Sequence, residues 1–228
     1  MKDEKEKLDG SEKLANGISA FIEEHRVLIL VIATVLICAL VVFVFAANAA
    51  EKKENALQVK VDSLQRSYEN LLYQADADQE LRLLAADLAE VAAQGGSKYS
   101  GIKASYVQGL VLMTVEDYAQ AYDSFVVVYE KAPTSYLAPL AMFNAAVAKE
   151  DLGNTDEAIA LYERITHDFG YDVSVAPRAL FSSARLHQAK GDIELARSTY
   201  QQIVDQYTNN GSQLSEYVAL SRNALITL

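Results

Sequence analysis

Histidines, cysteines and paired carboxylates build metal sites and acid–base pairs, and this chain holds few of them in useful positions. Its three histidines are His25, His167 and His187, and its one cysteine is Cys38. A helical zinc site needs ligands about one turn apart, as in Glu-x-x-His or His-x-x-x-His. Neither spacing occurs. His25 stands beside Arg26, His167 and His187 fall on different helical segments, and all three read as surface groups. A single cysteine excludes an intrachain disulfide and a cysteine-built zinc site. There is no G-x-S-x-G elbow, Walker-type loop or dinucleotide glycine pattern. Gly95-Gly96 follows no strand and reads as a turn. The acidic pairs Asp117/Asp123 and Asp156/Glu157 lie on amphipathic segments, where carboxylates face water. The expectation is a protein that is not an enzyme and has no cofactor or metal. Its function must then lie in its surface.

The elements that shape that surface follow from composition. Of 228 residues, 51% are hydrophobic and 22% charged, which excludes wholesale disorder. A net charge of −11 repels phosphate and disfavours nucleic acid as a partner. Only 3 prolines and 10 glycines interrupt a chain rich in Ala and Leu, so the expected fold class is all-α.

From Val27 to Ala50 there is no charged residue. The core of this run, Val27 to Ala47, spans roughly 31 Å as a helix, against a hydrocarbon core of about 30 Å. Only Thr34 and Cys38 carry polar atoms, so the run reads as one anchor rather than an ion path. A rival reading is a cleaved signal peptide, with Ala47-Asn48-Ala49 as a small-x-small site before Ala50. The apolar run is longer than a signal core and follows a long tail, which favours a retained helix. Lys and Arg are balanced within 20 residues on either side: Lys7, Lys13 and Arg26 before the run, Lys52, Lys53, Lys60 and Arg66 after Asn48. The positive-inside rule alone therefore leaves orientation open. A short tail, one apolar helix and a large domain is the plan of a signal anchor, whose domain crosses the membrane. Residues 1–26 form a polar tail, almost all charge from Met1 to Asp9 and expected to be disordered there. Ile18, Phe21 and Ile22 offer one amphipathic turn near the membrane, or simply extend the anchor.

Residues 51–75 contain no Gly or Pro, and Leu57, Val61, Leu64, Tyr68, Leu71 and Ala75 alternate at four- and three-residue steps. The stripe either lies on the following domain or joins a second copy of the chain.

Further on, three segments superimpose. Small residues fall at Gly109, Ala146 and Ala184, alanines at Ala121, Ala158 and Ala196, and aromatics at Phe125, Tyr162 and Tyr200. Each series advances by 37 and then 38 residues. A small residue lets one helix approach the next, the alanine is its partner, and the aromatic fills the space beside them. Gly153 and Gly191 suit left-handed helix ends, and Asp156 and Glu157 then suit the first turn of the next helix. Pro139 and Pro177 fall at helix starts.

With Ala146…Gly153…Ala158…Tyr162 and Ala184…Gly191…Ala196…Tyr200 the chain resembles the tetratricopeptide repeat family. It departs from the pattern in period, in Ser105, Met142 and Leu180 at the early aromatic position, and in Glu116 at the first turn glycine. Pro133 is its one closing proline. The resemblance implies a helix–turn–helix solenoid over about 100–208. The expected organisation is a tail at 1–26, a transmembrane helix at 27–48, a linker helix and degenerate half-repeat at 49–98, and a solenoid at 99–228. Gln213 to Leu228 would cap its end. The overall order is also similar to the membrane-anchored tetratricopeptide subunit that accompanies the bacterial Sec translocon.

What the resemblance implies for function is a scaffold of the bacterial cytoplasmic membrane, with its domain on the extracytoplasmic side. It would bind a protein partner, such as the translocon or an envelope chaperone, or an unfolded chain. The family's groove is lined by first helices. By position this places Tyr106, Phe143 and Phe181 on equivalent sites, with Lys103, Leu110, Arg178 and Arg185 beside them. The same rings are equally readable as core packing. The second functional reading is a self-associating part of a larger envelope assembly, joined through 57–75.

Overall fold

The computed structural model describes the backbone of residues 2–208 and 215–228 and the side chains of residues 14–208 and 216–228. Among the described residues every regular element is an α-helix. They are α1 (Lys2–Leu71), α2 (Asp78–Gly95), α3 (Tyr99–Thr114), α4 (Tyr118–Lys131), α5 (Leu137–Asp151), α6 (Thr155–Phe169), α7 (Ala176–Lys190), α8 (Ile193–Tyr207) and α9 (Ser215–Thr227). The chain divides into two compact units, Met1–Lys53 and Glu54–Leu228.

The first unit is helical over its described length apart from a break at His25, and it holds a helix long and apolar enough to cross a membrane. Its large side chains from Val27 to Phe45 are exposed. The Thr34 hydroxyl donates to the Leu30 carbonyl at 2.8 Å, which removes its need for water. In the charged tail, where disorder is expected over Met1 to Asp9, the backbone is helical from Lys2. Lys and Glu are good helix formers. The side chains of residues 1–13 lie outside the described residues. The helical path breaks once, at His25, with φ −109° and ψ 16°.

The second unit begins inside α1. Leu57 and Val61 are buried, and Leu64, Tyr68 and Leu71 pack on the same core, together with Leu81, Leu84 and Leu88 of α2. The stripe therefore packs on its own chain, closely at Leu57 and Val61 and partly at Leu64, Tyr68 and Leu71. Ala75 lies beyond the helix and is exposed. The end of α1 pairs with α2, with Lys60 3.6 Å from Glu90. It also runs alongside α3, where Asp62 meets Lys103 at 2.6 Å and Tyr68 meets Thr114 at 2.9 Å.

α3 has no side-chain cap of its own at Lys98. Glu54 supplies one from α1: its carboxylate accepts from the Ser100 N–H at 2.9 Å and the Ser100 hydroxyl at 2.8 Å. Burial pushes the Glu54 carboxyl up, but the Ser100 and Gln58 hydrogen bonds outweigh it and hold the group below the usual range. Removing a cap costs about 1 kcal/mol, so Glu54→Ala is expected to lower stability by that amount at neutral pH. The folded pKa is depressed, so this contribution is full above the unfolded value of about 4.3 and fades as pH falls through the folded value. Acid titration of unfolding should show a shallower loss in Glu54→Ala than in the parent chain.

The three repeats are α3–α4, α5–α6 and α7–α8. Gly109, Ala121 and Phe125, then Ala146, Ala158 and Tyr162, then Ala184, Ala196 and Tyr200, are all buried. Each pair is joined by the same turn. The N–H groups of Asp117, Asn154 and Asp192 return to the carbonyls of Leu112, Lys149 and His187, each at 2.9 Å. This closure demands a left-handed residue just before it. Gly153 and Gly191 provide it, with φ 77° and 87°. In the first repeat Glu116 is forced into the same conformation, φ 59°. A side chain there costs about 1–2 kcal/mol, part of which glycine forfeits through unfolded-state entropy. Glu116→Gly is accordingly expected to stabilise the chain by about 0.5–1 kcal/mol, read as a higher melting temperature.

Most of the core is one cluster from α1 to α6 that also takes Ala179 and Leu186 of α7. A second cluster joins α7, α8 and α9 through Leu180, Ala184, Tyr200, Ile203, Tyr207 and Val218. α9 is the expected cap; Gln213 and Leu214 lie outside the described residues. Pro139 and Pro177 stand in the first turns of α5 and α7.

Candidate protein-binding face

The end of α1 and helices α3, α5 and α7 are the first helices of successive pairs, and side chains link each to the next. Tyr68 reaches Thr114 of α3. The Asn144 amide of α5 donates to the Tyr106 hydroxyl at 3.3 Å. Arg185 of α7 donates to the Glu150 carboxylate of α5 at 2.5 Å, and the Tyr162 hydroxyl donates to the other Glu150 oxygen at 3.2 Å.

The equivalent aromatics each pack on the second-helix ring of their own pair. The ring centroids are 5.9 Å apart for Tyr106–Phe125, 5.4 Å for Phe143–Tyr162 and 5.5 Å for Phe181–Tyr200. Two of the three remain open at one edge. Tyr106 and Phe181 are half-buried, whereas Phe143 is buried. The Arg178 guanidinium lies over the Phe143 ring, 4.5 Å from its centroid. Phe143 is therefore core, and the exposed Arg178 stands over it. Phe181 also meets Tyr217 of α9 at 5.9 Å. Arg185 is exposed and held by Glu150.

Lys103, Tyr106 and Leu110 come together in a recess of about 360 Å³. Phe143, Arg178, Phe181 and Arg185 do not line it. Its remaining walls are Gln65, Tyr68 and Glu69 from α1, Val107 from α3, and Tyr136, Leu137 and Leu140 at the start of α5. Sequence reasoning passed over these. Tyr68 is the one aromatic in the 57–71 stripe, and that was the available signal. The recess is apolar at its floor and polar at its rim, with Lys103 tied to Asp62 at 2.6 Å. Burial pushes the Tyr106 hydroxyl up, with the Asn144 hydrogen bond opposing it. A hydrogen bond with Tyr99, then burial, pushes the Tyr136 hydroxyl up. Both phenols stay neutral and serve as hydrogen-bonding groups on apolar rings, the chemistry of protein recognition.

His187 departs from the surface expectation. It is buried, with Nε2 3.1 Å from Glu163 and Nδ1 3.5 Å from Asp192. Glu163 also accepts from the Ser183 hydroxyl at 3.1 Å. The group ties α7 to α6 and to the turn before α8, and it faces no recess that holds the other candidate residues. Among the described residues, no group of three or more His, Cys, Asp or Glu is placed to hold a metal ion.

The family model described as Tetratricopeptide repeat matches residues 106–173 and 143–211. Residues 106–211 are thus similar in sequence to tetratricopeptide repeats. A TPR repeat-containing protein of Treponema pallidum (strain Nichols) is 28% identical over 131 residues, covering 56% of this chain and 52% of that protein. The chain spans about half the length of this curated relative. The solved structure MamA MSR-1 superimposes with a TM-score of 0.44 at 19% identity, covering 78% of this chain and 97% of that one. For MamA AMB-1 the values are 0.41, 18%, 71% and 95%.

Proposed function

We propose that this chain is a membrane-anchored scaffold of a bacterial cell envelope that holds a protein partner against the face formed by α1, α3, α5 and α7. The observation that carries this reading is the recess around Tyr68, Tyr106 and Tyr136. It is apolar, large enough for one or two side chains of a partner, and rimmed by Lys103, Glu69 and Gln65. Tyrosines on rigid helices contribute large contact area at little entropic cost and are enriched among binding hot spots. Residues 27–48 cross the cytoplasmic membrane once, and the repeats stand on its extracytoplasmic side. The partner is a folded envelope protein, such as the translocon or a chaperone, or an extended chain emerging beside it. Phe181, Arg178 and Arg185 extend the same face toward α7.

Site-specific photo-crosslinking in intact membranes tests the reading. A crosslinker at Tyr136, 66% exposed, is expected to give discrete adducts. The same group at Ala160, on α6, is expected to give none. In a purified complex Tyr136→Ala is expected to weaken binding about tenfold, the effect of a hot-spot ring worth about 1–2 kcal/mol. Equal adducts at both sites, or none at Tyr136, overturn the recess as the binding face. Accessibility of a tag at residue 228 in whole cells, spheroplasts and lysed cells tests the orientation. Labelling only from the cytoplasm reverses it.

A further inference from the structure

We propose that residues 14–24 lie on the lipid surface as an interfacial helix, with Leu14, Ile18, Phe21 and Ile22 set between the headgroups beside the span that starts at Val27. This rests on the reading of residues 27–48 as a membrane span. At about 100° per residue, Leu14, Ile18, Phe21, Ile22 and His25 share an arc about 100° wide. Asn16, Ser19, Ala20, Glu23 and Glu24 occupy the opposite side. All four large apolar side chains are open, at 69%, 58%, 57% and 49% exposure.

The segment differs in kind from the run that follows. From Val27 to Ala47 the helix is apolar all round, and its length already matches the hydrocarbon core. Residues 14–24 are apolar on one side only. Continued along the same axis, they would leave the bilayer and hold Leu14, Ile18, Phe21 and Ile22 in water, and a deeper span would instead bury Glu23 and Glu24. Laid in the interface, the apolar arc faces the acyl chains and the carboxylates stay in water. The structure places a break between the two segments. His25 leaves the helical region, with φ −109° and ψ 16°, and no proline is needed to cause it. The Phe21 ring stands edge-on to the His25 ring at a centroid distance of 4.5 Å, which fixes the last turn at the hinge.

The polar arc also says which lipid. Within residues 14–24 the polar arc carries Glu23 and Glu24 and no Lys or Arg, and the nearby cation Arg26 lies beyond the break, so docking rests on apolar insertion into a zwitterionic surface. The adjoining span holds the segment at that surface, and the effective concentration replaces intrinsic affinity. A second copy is a weaker occupant, because about three turns are too short for a stable helix pair.

The chain contains no tryptophan, so a single introduced one reports its own site. Phe21→Trp, Asn16→Trp and Phe45→Trp are made separately in the full chain. Each is reconstituted at one chain per nanodisc in phosphatidylcholine, with and without brominated acyl chains. Tryptophans at 45 and 21 are expected to be blue-shifted and strongly quenched by bromine, and the one at 16 neither. Adding Ile18→Glu to Phe21→Trp is expected to abolish the quenching at 21 and leave that of Phe45→Trp unchanged. Raised salt is expected to change nothing. Equal behaviour at 16 and 21, with 45 quenched, overturns the inference alone. Loss of quenching at 45 overturns the membrane reading and the inference with it. Shielding at 21 that requires two chains per disc assigns the face to a second copy and also overturns it.

Discussion

Ala158→Leu is expected to destabilise the chain by about 1–3 kcal/mol, the usual cost of forcing methylenes into a packed site. Ala158 of α6 is fully buried in the core cluster that also holds Ala146 of α5 and Tyr162. Leucine adds three carbons where two helix backbones approach closely, and the neighbouring rings are themselves buried. Ala196→Leu should behave alike in the next pair, against Ala184 and Tyr200. Ala160 lies on the same helix, about 200° further round, and is exposed. Ala160→Leu is expected to change stability by under about 0.5 kcal/mol. Each repeat leans only on its neighbours, so the strain at Ala158 should loosen α4 and α7 before α1. Thermal melts of the full chain in mild detergent give the contrast, at about 2–4 °C per kcal/mol for a protein of this size. Identical melting of Ala158→Leu and Ala160→Leu would show that the repeat phase is wrong.

Gly109→Ala is expected to destabilise, against the rule for helices. A mid-helix glycine replaced by alanine ordinarily gains about 1 kcal/mol in propensity. Here the new Cβ would lie 2.5 Å from Cε1, 2.7 Å from Cζ and 2.8 Å from Cδ1 of Phe125. That ring is fully buried and backed by Tyr106, so it has nowhere to turn. The expected net loss is about 1–3 kcal/mol. Phe125→Leu, costly alone, should partly relieve it, so the double variant should lose less than the sum of the singles. A stabilised Gly109→Ala would mean that α3 and α4 do not approach as closely as described.

The repeat was legible because its three series follow from local packing. A small residue, an alanine and an aromatic one turn later must recur wherever the same helix pair recurs, and a period survives substitution at any single site. The turns were legible at Gly153 and Gly191 for the same kind of reason, since a left-handed residue is a property of the backbone at that point. Glu116 was visible only as a departure. Which conformation it takes depends on Asp117 returning its N–H to Leu112, and that closure belongs to the whole pair.

Tertiary structure decided what covers each face. The 57–71 stripe has the same spacing whether it meets a second copy or its own chain; in the structure Leu57 and Val61 are buried in the core with α2. Phe143 and Tyr106 occupy equivalent positions, yet only Tyr106 remains partly open, because Arg178 lies over Phe143. His187 looked like a surface group because the carboxylate of Glu163 lies 24 residues away in sequence, on another helix. The recess beside Tyr106 escaped for the same reason. Gln65 and Tyr68, Tyr106 and Leu110, and Tyr136 and Leu140 come from three separate stretches of chain, and only the parallel packing of α1, α3 and α5 makes them neighbours. Helical periodicity reports which side of a helix is apolar. The partner on that side is set by contacts tens of residues apart, which leave no periodic trace in the sequence.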